Sequence, residues 1–530
     1  MVPRILVADA LSPRAADVLA ASGLEVVSRK DLGTTPVIDV IDGFDGLLVR
    51  SATKVDAAMF ARASRLKIVG RAGIGVDNVD VAAATANGVV VMNTPLGNAT
   101  TTAEHAISMM MALTRMIPQA TASMKAGRWE KNTFNGREVT GKRIGILGLG
   151  NIGKIVADRA RGLHMEVLAY DPFLSVSAAN ELDVQKVDLD QLFAEADYVT
   201  IHTPLTEETR HLVGARLLSR MKKGSFLIHC ARGGIVDERA LLEALDAGTL
   251  AGAALDVIEV EPPPADHPLV AHPNVILTPH LGASTVEAQE AVALQIAEQV
   301  VAYFRDGTVK NAVNGWSISG SAMVVLQPWV ELGARVGALA AQAHTGEVEA
   351  VTVRYFGAGA SVDRAPVTAH ALAAILNHKV HLSAKPLAAA SVAAGRGIRV
   401  EVVAASDHPD FTNALSVEVV GGGRRTEVIG VVFGRAEPRV VSVDGYRLDL
   451  VPTGHVLLIK NEDRPGVIGR IGTALGGNGI NVSRLAVGLK REAGHALALW
   501  STDARVPDAL LREVAGSPDV IAALRIELPY

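Results

Sequence analysis

The most informative segment of this chain is Gly148-Leu149-Gly150-Asn151-Ile152-Gly153. The apolar run Arg143 to Leu147 precedes it and predicts a strand, and Lys154 to Gly162 follows it and predicts a helix. A glycine turn between a strand and a helix brings backbone N–H groups and the helix N-terminus against the pyrophosphate of a dinucleotide. Glycines at this spacing are weak support by themselves in a glycine-rich chain, so the interpretation depends on the strand that follows.

That next apolar run ends in an acidic residue at the position of a ribose contact. Glu166 to Tyr170 predicts a strand, and Asp171 lies about 20 residues beyond the glycines, where a carboxylate meets the ribose 2′-hydroxyl. A carboxylate there repels the 2′-phosphate of NADP and so favours NAD. The alternative is that Asp171 only caps a turn before Pro172. The pattern predicts a Rossmann-type NAD site.

Length and composition limit the classes of protein to which this chain can belong. With 530 residues the chain is too long for one core and predicts about three or four domains. The net charge of −5 gives no basic field for nucleic acid or anionic lipid. The single cysteine, Cys230, argues against disulfides and Cys-rich zinc sites and fits a reducing cytoplasm. Without a signal-peptide pattern or a membrane-length apolar run, we expect a cytoplasmic protein with no metal, membrane or nucleic-acid partner.

Strands and helices alternate twice in the first 318 residues. Apolar runs up to Met92 predict a parallel, doubly wound unit, and Ala99 to Met116 predicts a long helix that leads out of it. Further strands follow between Ile144 and Leu277, and the helix Val286 to Arg305 could return to the first unit. We expect a Rossmann-type cofactor domain, residues 98–285, inserted into a flavodoxin-like α/β substrate domain, residues 1–97 and 286–318. The active site would lie in the cleft between them.

Two smaller units complete the chain. Residues 319–453 show no catalytic constellation but strand-like runs at Gly397 to Val403 and Thr426 to Val432, which predict an α+β intervening domain. Gly421-Gly422-Gly423 precedes two arginines rather than Lys-Ser or Lys-Thr, which favours a flexible hairpin turn over a phosphate loop. Residues 454–530 follow the order β-α-β-β-α-β of a ferredoxin-like unit.

Three charged residues, Arg232, Glu261 and His280, each follow a predicted strand of the second unit. Side chains beyond the carboxyl ends of parallel strands converge on the ligand crevice, so these three could meet beside a nicotinamide. His280 suits removal of a hydroxyl proton, Glu261 would favour the charged imidazole, and Arg232 suits a carboxylate. The alternatives are a loop histidine, a solvated turn residue and a charge at a helix entry. Their common placement favours catalysis.

The motifs around these residues resemble the D-isomer-specific 2-hydroxyacid dehydrogenases. Within that family the chain is most similar to the members that oxidise 3-phospho-D-glycerate to 3-phosphooxypyruvate, the first step of L-serine biosynthesis. The resemblance implies that Arg232, Glu261 and His280 are the catalytic residues. The matching segments, within roughly residues 1 to 315, are Val49 to Lys54, Gly70 to Asn78, Gly148 to Gly153, Ala231 to Asp237, Asp256 to Pro262 and Pro279 to Thr285.

The same resemblance, together with the glycine motif, implies a set of NAD contacts. Family members often have Thr where this chain has Ile74, so only a backbone contact could survive there. The contacts are Ile74, Gly148, Gly150, Asn151, Ile152, Gly153, Asp171, Thr203, Cys230, Ala231, Arg232, Asp256, His280, Leu281, Gly282 and Ala283.

Substrate choice depends on the first unit. A phosphorylated three-carbon acid needs positive charge at its far end, and Arg50 and Arg71 would supply it, with Ser51, Ala72 and Gly73 beside them. Either arginine could instead be a partner in a surface ion pair.

The last unit resembles an ACT domain, a module that senses amino acids. The segments that match are Asn461 to Gly469 and Gly479 to Val482. The resemblance implies that L-serine binds as an effector between paired modules of different subunits, at Asp463 and Asn481, and it implies a homo-oligomer, with a tetramer favoured. The alternative is a dimerisation module that binds no ligand. The intervening unit resembles the extra domain of long members of the family, where anionic substrate can act allosterically.

Two other functions are compatible with these motifs. A glyoxylate or hydroxypyruvate reductase would share the catalytic residues but would not need the C-terminal modules. A non-enzymatic protein of the corepressor type would keep the fold and bind NAD as a signal. The complete set of Arg232, Glu261 and His280 speaks against the second alternative.

Overall fold

Four sheets organise the chain. The structure is a computed structural model, and it describes residues 2–380, 384–405, 408–434, 436–490 and 494–529. Met1 and Tyr530, the predicted outer ends of the first and last domains, lie outside these ranges. In chain order the sheets have five, seven, six and four strands. In the parts of the chain that are described, no helix is long and apolar enough to span a bilayer.

The first sheet is parallel, with the strand order β2-β1-β3-β4-β5, which is the flavodoxin-like order predicted. Sequence analysis missed β2, a four-residue edge strand that is not fully buried. The elements are β1 (Arg4–Val7), α1 (Pro13–Ala21), β2 (Glu25–Ser28), β3 (Gly46–Val49), α2 (Ala57–Arg62), β4 (Ile68–Arg71), α3 (Val81–Ala86) and β5 (Val90–Met92).

Two helices connect the first sheet to the second. The prediction of one helix from Ala99 to Met116 is wrong at its C-terminal end, because α4 (Ala99–Thr114) stops earlier. Met116 adopts a left-handed conformation with φ 55°, and Pro118 lies in the first turn of α5 (Ile117–Lys125). Proline has no N–H for a continuing helix and its ring clashes with the preceding turn, so a new helix starts here.

The second sheet is also parallel, with the order β12-β11-β10-β9-β6-β7-β8. The chain order reverses between β6 and β9, and the crevice beyond the carboxyl ends of these strands is where such sheets bind ligands. The elements are β6 (Arg143–Leu147), α6 (Asn151–Gly162), β7 (Glu166–Tyr170), α7 (Val176–Glu181), β8 (Gln185–Lys186), α8 (Leu189–Glu195), β9 (Tyr198–Ile201), α9 (Ala215–Leu218), β10 (Ser225–His229), α10 (Glu238–Asp246), β11 (Leu250–Leu255), α11 (Pro268–Ala271) and β12 (Val275–Leu277).

Helix α12 (Val286–Asp306) returns to the first sheet, as predicted. Its residues Val292 and Ile296 lie in one core with Ile68 of β4. A Cβ atom on Gly70 would lie only 2.7 Å from Cγ1 of Ile296, so the glycine allows the helix to lie directly on the sheet. Chain segments before and after the second sheet therefore build the first unit together.

The third sheet is mixed, with the order β14-β13-β15-β16-β17-β18, and only its β13–β14 pair is parallel. Gly422 and Gly423, both left-handed, form the two-residue turn between β15 and β16, so the predicted hairpin is confirmed. The strand predicted from Gly397 begins at Arg399, because Gly397 is left-handed (φ 71°). The elements are α13 (Gly320–Ala343), β13 (Ala350–Gly357), α14 (Arg364–Val380), α15 (Ala389–Gly395), β14 (Arg399–Ala405), β15 (Asn413–Gly421), β16 (Arg424–Phe433), β17 (Glu437–Val443) and β18 (Tyr446–Leu450).

The fourth sheet is antiparallel, with the order β20-β21-β19-β22. On β19, Val456 and Leu458 face the core that contains α13 and α14, whereas Leu457 and Ile459 face α16 and α17. The last two units therefore share one hydrophobic core. The elements are β19 (Gly454–Glu462), α16 (Val467–Gly477), β20 (Val482–Lys490), β21 (His495–Thr502), α17 (Asp508–Ala515) and β22 (Val520–Leu528).

Candidate active site

A cavity of about 490 Å³ lies between the first two units, and residues of both line it. Of the predicted catalytic, cofactor and substrate residues, ten do not line this cavity: Gly148, Gly150, Gly153, Asp171, Leu281, Glu261, Arg50, Ser51, Ala72 and Gly73. The predicted residues that line the cavity are Arg71, Ile74, Asn151, Ile152, Thr203, Cys230, Ala231, Arg232, Asp256, His280, Gly282 and Ala283.

The glycine turn after β6 is shaped for close packing. Gly148 has φ 93°, and a Cβ on Gly153 would lie 2.1 Å from the carbonyl oxygen of Gly148, so a side chain at position 153 would push α6 away from the strand. Helix α6 begins at Asn151, which lines the cavity, and the positive end of its dipole favours a phosphate there.

Polar atoms in the same cavity fit a dinucleotide. The hydroxyl of Thr203 and the amide oxygen of Asn98 are buried and have no hydrogen-bond partner among the described residues. Buried polar atoms normally have a partner, so these two suit the hydroxyl and amide groups of a bound cofactor. Together with the glycine turn they fit NAD.

Asp171 is engaged within its own turn. Its Oδ2 accepts a hydrogen bond from the backbone N–H of Leu149 at 2.9 Å, and its Oδ1 accepts one from Phe173 at 2.9 Å. The carboxylate thus ties β7 to the glycine turn and also caps the turn after β7. The predicted contact with a ribose hydroxyl stays a prediction.

His280 and Glu261 form a hydrogen-bonded pair. Nδ1 of His280 donates to Oε2 of Glu261 at 2.8 Å, and the side chains are 46% and 39% exposed. Burial alone would raise the pKa of Glu261, but the hydrogen bond and charge of His280 hold it below its ordinary value. Because Glu261 occupies Nδ1, the other ring nitrogen of His280 is available to a ligand in the cavity.

A buried carboxylate fixes the loop that carries His280. Oδ1 of Asp256 accepts the N–H of Leu281 at 2.7 Å, and Oδ2 accepts that of Gly282 at 2.8 Å. Burial would raise the pKa of Asp256, but these bonds and those from His105 and Thr278 keep it below its ordinary value. Asp256 lines the cavity, and both of its carboxylate oxygens accept hydrogen bonds from the loop. Its predicted contact with NAD stays a prediction.

Sequence analysis missed the support that α4 gives this loop. His105 Nε2 lies 3.1 Å from Oδ1 of Asp256, and the hydroxyl of Thr102 donates to the carbonyl of Gly282 at 3.0 Å. Asn98, Thr102 and His105 follow one another at helical spacing, which places them on one face of α4. That polar stripe is the signal that could have indicated a helix face directed toward a site.

Arg232 and Arg71 bring positive charge to one cavity. Arg232 is held by two contacts: Nη1 donates to the carbonyl of Ala231 at 2.7 Å, and Nε donates to Oδ2 of Asp77 at 2.8 Å. Burial, followed by repulsion from Arg232, lowers the pKa of Arg71 to about 10. Paired guanidinium groups in a partly buried cleft favour an anionic ligand. Asp77 was not among the predicted residues.

The other predicted substrate residues lie at the margin of the cavity. The backbone N–H of Arg50 donates to Oδ2 of Asp9 at 2.6 Å, and the positive charge of Arg50 reaches Arg71. Ser51 is exposed, and Ala72 is buried below the loop. The N–H of Gly73 donates to the hydroxyl of Thr94 at 2.7 Å, which fixes the loop.

Two histidines lie at one side of the cavity: His202 is half-buried and lines it, and His229 is buried and does not. Burial lowers the pKa of His202 to about 3 and that of His229 to about 4, so both rings are neutral at pH 7. Nε2 of His229 donates to the carbonyl of Arg232 at 2.8 Å and so helps to fix the backbone of that arginine. Among the described residues, no group of three or more His, Cys, Asp or Glu could hold a metal ion.

The predicted effector residues do not meet within one chain. Asp463 directly follows β19, and Asn481 directly precedes β20. Thr502 of β21 lies between the first residue of β20 and His455, and so places Asn481 near the start of β19, whereas Asp463 lies at its end. The stretch from His455 to Glu462 spans about 23 Å at the rise of a β-strand. Both residues are exposed, at opposite ends of the sheet.

Comparison with known proteins gives the class first. The family model described as the NAD binding domain of D-isomer specific 2-hydroxyacid dehydrogenases matches residues 107–282. The model of the D-3-phosphoglycerate dehydrogenase intervening domain matches residues 325–444, and the ACT domain model matches residues 455–517. Fold and site therefore define an NAD-dependent oxidoreductase of the 2-hydroxyacid dehydrogenase class.

Relatives of full length then give the family. The chain is 40% identical to D-3-phosphoglycerate dehydrogenase of Bacillus subtilis over 99% of its length and 100% of the relative's. It is 41% identical to the enzyme of the same name from Archaeoglobus fulgidus, with the same coverage. The chain belongs to the D-3-phosphoglycerate dehydrogenase family. By contrast, a solved glyoxylate reductase from Paecilomyes thermophila, 27% identical with a TM-score of 0.53, covers 59% of this chain and 98% of its own.

Proposed function

We propose that the chain oxidises the C2 hydroxyl of 3-phospho-D-glycerate to the ketone of 3-phosphooxypyruvate with NAD, as the first step of L-serine biosynthesis. The observation that carries the proposal is the meeting of Arg232 with the hydrogen-bonded His280 and Glu261 pair at a cavity next to the glycine turn. The names of the full-length relatives supply the substrate. We further propose that the enzyme works in the cytoplasm.

The side chains divide the reaction between them. Arg232 binds the substrate carboxylate and the oxygen at C2, Nε2 of His280 takes the hydroxyl proton, and Glu261 stabilises the imidazolium through Nδ1. NAD, when bound, accepts the hydride from C2. One proton and one hydride thus leave the alcohol, which becomes the ketone. In the reverse direction the protonated His280 returns its proton to the carbonyl oxygen.

The assignment of binding residues and domains is part of the proposal. The cofactor contacts are the sixteen residues given above from Ile74 to Ala283, and Arg50, Ser51, Arg71, Ala72 and Gly73 hold the phosphorylated substrate. The domain limits are 1–97 with 286–318, 98–285, 319–453 and 454–530. The return of α12 to the first sheet supports the discontinuous first domain.

The C-terminal units favour this reaction over the other enzymes considered. The glyoxylate reductase covers only 59% of this chain although nearly all of its own length is matched, whereas the named 3-phosphoglycerate enzymes match this chain over 99% of its length. A protein that only senses NAD would have no need for the His280 and Glu261 pair.

Formation of NADH, followed by its absorbance, tests the reaction with 3-phosphoglycerate, D-glycerate and glycolate as substrates. We expect 3-phosphoglycerate to have the highest kcat/KM. Arg50→Ala should raise KM for 3-phosphoglycerate far more than for D-glycerate, because only the former carries the phosphate. Arg62→Ala, which removes an exposed arginine of the same unit paired with Asp39, is the matched control. Equal losses for both substrates would remove Arg50 from the phosphate site.

We also propose that L-serine inhibits the enzyme by binding between ACT domains of two subunits of a homotetramer. The placement of Asp463 and Asn481 at opposite ends of one sheet supports this arrangement, because only a second copy can bring one beside the other. A ligand shifts activity only if its affinity differs between two states of the enzyme.

Calorimetry on the full chain tests the effector, because the last domain shares its core with the preceding one and is not a separable fragment. L-serine should release heat and D-serine should not. Asp463→Ala and Asn481→Ala should each abolish binding, whereas oligomers assembled from both variants should regain part of it, since some interfaces then contain both native residues. Failure of the mixed oligomers to bind would contradict a site shared between subunits.

A further inference from the structure

Asp77 reaches Arg232 from the opposite wall of the cleft. Arg232 follows β10 of the second unit, and Asp77 lies on the loop after β4 of the first. The two residues are 155 positions apart, yet Oδ2 of Asp77 accepts a hydrogen bond from Nε of Arg232 at 2.8 Å. The Arg232 side chain is 26% exposed, and that of Asp77 is 59% exposed. The contact therefore joins the walls of the cleft at its solvent-facing edge.

The contact uses the part of the guanidinium that a substrate does not need. Asp77 occupies Nε, and the carbonyl of Ala231 takes a proton of Nη1. Nη2 lies against Gly75, where an added Cβ would be only 1.8 Å away. No described residue accepts a hydrogen bond from Nη2. The fork of terminal nitrogens, which matches a carboxylate, is thus left for a ligand.

The negative charge of Asp77 has two opposing effects at this position. A carboxylate beside an anion site lowers the affinity for anions, because like charges repel. Asp77 does offset part of the repulsion between Arg71 and Arg232 in the shared cavity. Its hydrogen bond to Nε, however, constrains the direction of the guanidinium, which a distant countercharge would not do.

We propose that Asp77 is a positioning residue that orients the terminal N–H groups of Arg232 toward the substrate carboxylate. Because Asp77 belongs to the other unit, Arg232 reaches this orientation only when the two walls of the cleft are close enough for the hydrogen bond between them. The inference rests on the proposed function only in that the substrate carries a carboxylate beside the reacting carbon.

The test compares Asp77→Ala with Asp77→Asn, whose amide oxygen keeps an acceptor for Nε but loses the charge. For Asp77→Ala we expect kcat/KM to fall roughly 100-fold, mainly through KM, since a displacement of a binding group by about 1 Å costs that much. Asp77→Asn should stay within about threefold of the wild type. Asp42→Ala, which removes an exposed acid of the same unit, controls for net charge and should change nothing.

Thermal unfolding should be the same in all variants, because Asp77 is largely exposed. NADH binding should weaken far less than kcat/KM falls, because among the described residues Arg232 is the one proposed cofactor contact to which Asp77 is hydrogen-bonded. Equal losses in Asp77→Ala and Asp77→Asn would overturn the proposal, since charge rather than orientation would then matter. A parallel loss of NADH affinity would overturn it as well, because it would indicate a general disturbance of the cleft.

A second measurement separates this inference from the proposed function. If the wild type fails to oxidise 3-phosphoglycerate, the proposed function falls, but binding of oxalate to the NADH complex still reports on Arg232. Asp77→Ala should weaken oxalate binding and Asp77→Asn should not. Unchanged oxalate affinity in Asp77→Ala would refute the positioning role whatever the physiological substrate is.

Discussion

A single methyl group at position 75 should inactivate the enzyme without unfolding it. A Cβ on Gly75 would lie 1.8 Å from Nη2 of Arg232 and 2.6 Å from Oδ2 of Asp77. Nonbonded heavy atoms settle at about 3.5 Å, so the guanidinium would have to retreat by roughly 1.5 Å or more. A displacement of about 1 Å already costs on the order of 100-fold in rate. We therefore expect Gly75→Ala to lower kcat/KM by at least about 100-fold.

The fold should tolerate the change because Gly75 is not among the left-handed glycines and the residue is partly exposed. NADH formation measures kcat/KM, and thermal unfolding measures integrity. Gly395→Ala is the matched control, since a Cβ there meets no atom within 4 Å. If Gly75→Ala unfolds like the wild type and keeps kcat/KM within about threefold, Arg232 does not work from the position described.

Two further predictions concern groups that support His280 and Arg232. His105→Ala should lower kcat about tenfold with little change in the midpoint of thermal unfolding, because Asp256 loses a partner that fixes the His280 loop. His105→Asn can still donate a hydrogen bond to Asp256 and should recover part of the lost activity. An equal loss of kcat in both variants would speak against the contact. Burial lowers the pKa of His229 to about 4, whereas in the unfolded chain this histidine binds a proton near pH 6.5. The contribution of the neutral ring to the free energy of unfolding is therefore complete above pH 7 and is lost as the pH falls toward 4. Between pH 7 and pH 5 the free energy of unfolding should fall by about 2 kcal/mol less in His229→Gln than in the wild type, as measured by urea titration; equal falls would contradict a buried neutral ring.

The sequence was sufficient for the two parallel sheets because their central strands are fully buried and appear as apolar runs, as β3 and β10 do. The short edge strands β2 and β8 were missed because partial exposure leaves them without such a run. The three charged residues after strands were recognisable for a physical reason too, since the carboxyl ends of parallel strands meet at one edge of a sheet.

The supporting residues could not be found in the same way. Asp77 and Arg232 meet only because the chain leaves the first sheet and returns from the second, and no local pattern reports a contact over 155 positions. His105 is different, since its spacing from Asn98 and Thr102 was a local signal. The separation of Asp463 from Asn481 was also readable, because the two strands of a β-α-β crossover run in the same direction, which places the end of β19 and the start of β20 at opposite ends of the sheet.

The shared core also connects the last domain, through packed segments, to the strand that ends in Arg71. Leu458 of β19 lies in one core with α13 and α14, and α14 packs on the segment Pro386–Ala388. Lys385, just before that segment, lies so close to Gly88 that an added Cβ would be 2.3 Å from its Cδ atom. Gly88 connects α3 to β5, the neighbour of the strand that ends in Arg71. Packed cores change between discrete arrangements rather than deform gradually, so under the regulation we propose an effector that favours one arrangement of this core would act on Arg71 through these contacts, without touching the cavity.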